Sequence, residues 1–270
     1  QFRQGVTLAP DNALMRYGLG VAALRAGRPR EALRELEPVA RAMEKVPEYH
    51  LQIGQVYLSL GRAADATRAA EAALRLAPGS PRPYGRLGAI YGAGGDLRRA
   101  REMYARAVEI DPGFAGGRVG LGHVYNVEKK PEEALREYDA VLRGDPRNPA
   151  ALGAKVATLV QQKRADDAVA AITAALQLDP GSGRLLTLFG GVYLAKGERG
   201  RAEEQFRQAL KADENFAPAR YQLARLAAAD GKDAEAVGHL QRVLRSEPGH
   251  VPAALLLAAL HSRQARYDVI

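Results

Sequence analysis

Apolar and small residues return along this chain in the rhythm of paired helices. In the stretch "YGRLGAIYGAGGDLRRAREMYARAVEIDP", residues 84–112, the second half has the spacing of an amphipathic helix. The first half interrupts its apolar residues with Gly85, Gly88, Gly92, Gly94 and Gly95. A glycine inside a helix costs about 1 kcal/mol relative to alanine, so this density of them needs a reason.

Part of the reason is a repeat. Prolines stand at 10, 78, 112, 146, 180 and 248, always 34 residues or a multiple apart, and the two vacant stations hold Glu44 and Glu214. With that proline as station 32, full units begin at 13, 47, 81, 115, 149, 183 and 217. Station 20 is alanine in all seven, and station 8 is glycine in five: Gly20, Gly54, Gly88, Gly122 and Gly190. Small residues there let two helix backbones approach closely, where a larger side chain would cost about 1–3 kcal/mol. Station 15 is Gly27, Gly61, Gly95, Gly197 or Gly231, with Lys129 and Lys163 as exceptions, and ends the first helix in a left-handed turn. Pro29 and Pro131 suit the first turn of the second helix, and the proline at station 32 stops that helix. Each unit is therefore expected to be a helix–turn–helix hairpin, and the fold class all-α.

Residues 1–12 place Phe2, Gly5, Leu8 and Pro10 on stations 24, 27, 30 and 32 of a preceding unit. Residues 251–270 read as an eighth first helix followed by the beginning of its second. The apolar run "AALLLAAL" is the opposite of a polar cap, so the native chain is expected to continue in both directions. Two departures carry structural expectations. Lys155 and Val156 replace Leu-Gly, so the fifth unit should pack less closely, and Pro38 should kink or end the second helix of the first unit.

Leu-Gly at stations 7–8, Tyr at 11, Ala at 20, Phe or Tyr at 24, Ala at 27 and Pro at 32 resemble the tetratricopeptide repeat family over essentially the whole chain. The tryptophan often found at station 4 is absent. The resemblance implies an α-solenoid, a right-handed superhelix of stacked hairpins whose first helices line a concave groove that binds peptides or proteins.

Composition narrows the partner. The net charge of +8 raises nucleic acid as a ligand, but the basic residues are scattered through acid-containing helices such as "EEALREYD", without a run of five. That distribution argues against nucleic acid. No apolar run approaches the roughly 18 residues of a membrane span, and cysteine is absent. The Ala/Arg/Gly-heavy composition suggested a bacterial source, in the cytoplasm or the periplasm.

The resemblance places stations 2, 5, 6, 9, 12 and 13 in the groove. Several of these are small, among them Gly85, Ala89, Gly92, Gly120, Gly153, Ala157 and Gly191, and a bare surface there would let a bound chain lie close to the backbone. His123 and Asn126 fall on the same face in the fourth unit. The groove charges are Arg25, Arg82, Arg86, Arg184, Arg225 and Arg263 against Glu48 alone, which suits an acidic ligand or a free C-terminal carboxylate. Arg82 and Arg86 resemble the basic pair of chaperone-binding carboxylate clamps, but Tyr17, Val21 and Gln52 stand where that clamp needs Lys, Asn and Asn. No two histidines share metal-ligand spacing on one helix, and no phosphate loop follows a strand. The sequence thus reads as a non-catalytic protein-interaction scaffold without cofactor or metal. A regulatory or targeting part of a larger enzyme or assembly factor, or a scaffold self-associating through its terminal helices, are the alternatives.

Overall fold

The computed structural model describes residues 12–267, so the reading of residues 1–11 as the end of a preceding unit lies outside the described residues. The described chain is all-α. By contact it divides into two compact units, Gln1–Asp145 and Pro146–Ile270.

The first unit holds α1 (Ala13–Arg25), α2 (Pro29–Leu36), a short 3-10 turn (Glu37–Val39), α3 (Pro47–Ser59), α4 (Ala63–Leu76), α5 (Pro81–Ala93), α6 (Leu97–Ile110), α7 (Ala115–Val127) and α8 (Pro131–Gly144). The helices pack in sequential pairs, and α1, α3, α5 and α7 also lie side by side. The second unit holds α9 (Pro149–Gln161), α10 (Ala165–Leu178), α11 (Gly183–Ala195), α12 (Arg199–Ala212), α13 (Ala217–Ala229), α14 (Asp233–Ser246) and α15 (Val251–Tyr267). It pairs in the same way, with α9, α11 and α13 adjacent. Short connections make the two helices of a pair antiparallel, so first helices within a unit run in one direction.

The stations account for these elements. The alanines at station 20, from Ala32 to Ala236, are all 0% exposed. Residues at station 24 plug the spaces left by the glycines at station 8. A Cβ on Gly88 would lie 2.7 Å from the Tyr104 ring, on Gly122 2.3 Å from Tyr138, and on Gly190 2.3 Å from Phe206. Leu36 does the same at station 24 of the first unit, where a Cβ on Gly20 would lie 2.7 Å from its side chain and 3.3 Å from the Ala32 carbonyl. On Gly54, opposite Ala70, it would instead meet the Ala69 methyl at 3.4 Å and the Ala66 carbonyl at 3.5 Å. The expected close approach of backbones is therefore only part of the reason for these glycines. In three pairs the glycine is a notch for a ring.

Station 15 is left-handed throughout, with φ of 80° at Gly95 and 61° at both Lys129 and Lys163. A side chain in this region costs roughly 1–2 kcal/mol, partly offset by the lower unfolded-state entropy of a non-glycine residue. Lys129→Gly and Lys163→Gly are each expected to raise stability by about 0.5–1 kcal/mol, read as a higher denaturation midpoint. No change in either would show that the turns relax around lysine.

Second helices other than α2 end at station 30 whether or not proline follows: α12 stops at Ala212 although Glu214 occupies the proline station. An aspartate turn does the work there, Asp213 accepting from the Asn215 N–H at 2.9 Å as Asp111 accepts from Gly113 at 2.8 Å. Pro38 ends α2 early, at Leu36. The freed Leu36 carbonyl accepts from the Tyr49 hydroxyl at 3.2 Å. Burial, then the charges of Tyr57 and Glu37, push that phenol up to about 12. Because the folded value is raised, the unfolded chain ionises first, and stability present below pH 10 is lost on the way to about pH 12. The loss should be of order 2 kcal/mol. Burial also raises Tyr17, Tyr57 and Tyr104, so the check is a difference titration in which Tyr49→Phe removes one tyrosine from the late-ionising group; an unchanged titration would refute the assignment.

The pair α9/α10 packs least closely of the seven, as Val156 at the glycine station requires. The last helix departs from expectation. Station 15 of the eighth unit is Ala265, and α15 runs unbroken through it to Tyr267, so no turn separates a second helix among the described residues.

Candidate functional site

In the first unit the parallel first helices leave a furrow with two adjoining concavities. One, about 340 Å³, is lined by Gln52, Arg82, Gly85, Arg86, Ala89 and Phe114, among others. The second, about 710 Å³, is lined by Tyr17, Val21, Arg25, Glu48, Gln52 and Arg82, among others. Gln52 and Arg82 belong to both. Four of the residues expected in the groove (Arg82, Gly85, Arg86 and Ala89) thus share one wall.

Their charges are not equivalent. Arg82 pairs with Glu48 at 2.8 Å, so the groove's lone acid is already neutralised. Arg86 is half-buried and donates to the neutral Gln55 side chain, while its Nε is buried with no hydrogen-bond partner. Burial first, and then the neighbouring Arg82 charge, lowers the Arg86 value from the ordinary guanidinium range. The group nevertheless stays charged, because an arginine does not deprotonate in proteins. Arg25 lines the second concavity without an ionic or hydrogen-bonded partner among the described residues.

The glycines on this face divide. Gly85 is not a bare patch for a bound chain: a Cβ there would lie 2.8 Å from the Phe114 ring, which occupies the space. Gly120 is buried against Tyr104, whose ring a Cβ would meet at 2.3 Å, so it serves packing between hairpins. Gly92 is unconstrained, with only the Ala100 methyl at 3.8 Å. His123 and Asn126 both attend the fully buried Tyr138. Asn126 donates to its hydroxyl at 3.1 Å, and the His123 ring stands edge-on to it with centroids 5.9 Å apart. Burial lowers the His123 value below that of a free imidazole. Tyr104 stands at station 24, where an aromatic residue is expected to pack between helices, whereas Phe114, at station 34 opposite a glycine at station 5, is a readable signal that the repeat pattern alone does not single out.

In the second unit Arg184 lines a concavity of about 480 Å³ between α9 and α11. Arg225 lines another, with Tyr221, Leu256 and Arg263, and donates to Gln222 at 3.0 Å. Among the described residues no group of three His, Asp or Glu side chains could hold a metal ion, and no helix is long and apolar enough to cross a membrane.

Comparison with known proteins places this geometry. A tetratricopeptide repeat protein from Parabacteroides merdae superposes with a TM-score of 0.64 at 13% identity, over 92% of this chain and 98% of that one. The hetero-tetramer Cut9–Hcn1 of APC/C gives 0.58 at 16% identity, over 96% of this chain and 51% of that one. PilF of Pseudomonas aeruginosa gives 0.55 at 18% identity, over 79% and 97%. No curated protein matches the sequence. The family model that does match is ciliary, which lends no support to a bacterial source. It describes the cilia and flagella-associated protein 70 C-terminal domain and covers residues 6–254, and this chain belongs to that family of tetratricopeptide repeat domains.

Proposed function

We propose that this domain is a non-catalytic protein-interaction module whose first unit binds an acidic segment, through a side-chain or C-terminal carboxylate delivered to Arg86. Tetratricopeptide repeat domains are in general protein–protein interaction modules, and the family is generally non-catalytic. The observation that carries the finer reading is the state of Arg86: a half-buried cation on the wall of a cleft, with a neutral acceptor and one buried N–H left over. Desolvating a guanidinium without an anion is costly, and a carboxylate entering the cleft would offset that cost with a charge-assisted bond. Arg82 would orient the segment while remaining paired to Glu48.

Fluorescence anisotropy with labelled Asp/Glu-rich peptides, free or amidated at the C-terminus, tests this. Arg86→Ala is expected to weaken binding about 10–100-fold, since a hydrogen bond to a charged group contributes roughly 1.5–3 kcal/mol. Arg86→Lys should recover only part, because the planar fork is lost. Arg98→Ala, on an exposed site of α6, serves as control. Equal affinity for wild type and Arg86→Ala, with both folded by circular dichroism, would refute the assignment.

A further inference from the structure

We infer that the second unit carries a separate docking trough for an amphipathic helix whose last turn is acidic; this rests on the reading of the domain as a peptide-binding module and adds a second class of partner. The trough is the concavity of about 480 Å³ between α9 and α11. Leu152, Val156 and Val160 run along it from α9 at a four-residue spacing, and Leu188 and Val192 face them from α11. Leu152, Val156 and Val192 are 1–2% exposed and form its floor. Ala157 and Gly191 are exposed at its rim.

The trough has open space along its first-helix glycines. Gly190 is filled by the Phe206 ring, whereas a Cβ on Gly153 or Gly191 would meet nothing within 4 Å. These two positions, both lining the trough, face open space.

The chemistry of the walls selects the occupant. Both walls are helices whose backbone groups are bonded internally, so an extended peptide would find few partners for its own N–H and C=O groups. Of the uncharged polar side chains lining it, Thr187 already donates to the Gly183 carbonyl at 2.8 Å, and the Gln222 side-chain oxygen already accepts from Arg225 at 3.0 Å. A helix satisfies its own backbone and offers apolar residues at i, i+3/i+4 and i+7. The 13 residues of α9 span about 20 Å, enough for about three turns.

Charge sets its direction. Among the residues lining the trough none is acidic, and Arg184, in the first turn of α11, is exposed without an ionic or hydrogen-bonded partner among the described residues. Because α9 and α11 run the same way, their N-terminal ends lie at the same end as Arg184. That end is positive, and it favours the negative C-terminal end of the incoming helix, strengthened by Asp or Glu in its last turn.

The test is selection of a displayed library of random peptides, each about 16 residues, on the full chain. Enriched sequences are expected to include helices with the apolar spacing above and an acidic last turn. Their binding should weaken about tenfold or more in Gly191→Glu, in Ala157→Glu and in Arg184→Glu, and stay unchanged in the Arg82→Ala/Arg86→Ala variant. Both rim positions are exposed, so circular dichroism should report folded variants, and either one suffices if the other unfolds. Peptides that all depend on Arg86 and ignore the rim substitutions would overturn the trough while leaving the first-unit reading intact. Enriched peptides that bind the trough in extended form by NMR would overturn it as well. Failure to enrich any peptide would sink both readings.

Discussion

Phe206→Ala is expected to cost the second unit about 3–5 kcal/mol, the range for removing a buried aromatic ring. The ring is 0% exposed and packs among Leu186, Ala202, Ala209, Ala219 and Leu223, so its loss leaves a cavity walled by small alanines that cannot collapse into it. Gly190→Ala should cost about 1–3 kcal/mol by overpacking, because its new methyl would sit 2.3 Å from that ring. The informative quantity is the coupling. In a Phe206→Ala background the methyl has room, and the cost of Gly190→Ala should nearly vanish. Repeat arrays need not unfold in one step, so the measurement should be hydrogen exchange of the α11 and α12 amides as well as a denaturation midpoint. Additive costs would mean that ring and glycine do not share one space.

That pair shows what was and was not legible in the sequence. The 34-residue interval, the alanines at station 20 and the left-handed station 15 depend on backbone geometry, which every unit must satisfy, so they recur and can be counted. The partner of each glycine at station 8 depends on one side chain, and aromatic residues at station 24 are present in some units and absent from others. The missing tryptophan at station 4 is a similar case. Arg16 and Arg118 occupy it and reach Glu35 and Glu137, at 3.1 and 2.8 Å, with every partner between a fifth and a third exposed. An Arg at 4 with a Glu at 23 was a signal in plain view, but it occurs in two units only and periodicity does not expose it. The candidate site was legible to a lesser degree. Arg82 and Arg86 line one cleft, as the groove stations implied by the resemblance lead one to expect, whereas the pairing of Arg82 with Glu48 and the filling of Gly85 by Phe114 are rotamer-level facts that a one-dimensional pattern does not contain.

The strictest station should be the least forgiving of charge. Ala134 is 0% exposed where α8 crosses α7 beside the Gly122–Tyr138 contact. Ala134→Leu should cost about 1–3 kcal/mol from size alone. Ala134→Glu adds an unpaired charge in a place without water, and its cost at neutral pH should rise to roughly 3–5 kcal/mol, seen as accelerated exchange across α7 and α8. The two contributions separate with pH. Burial raises the folded-state pKa of such a glutamate above its unfolded value near 4.3, so the charge penalty is present at neutral pH and is relieved as pH falls through the folded value toward the unfolded one. At about pH 4, then, Ala134→Glu should approach Ala134→Leu, while Ala64→Glu, exposed on α4, should show no comparable recovery. A deficit in Ala134→Glu that does not shrink on acidification would mean that the introduced carboxylate reaches solvent, and that the crossing of first and second helices is looser than the buried alanines imply.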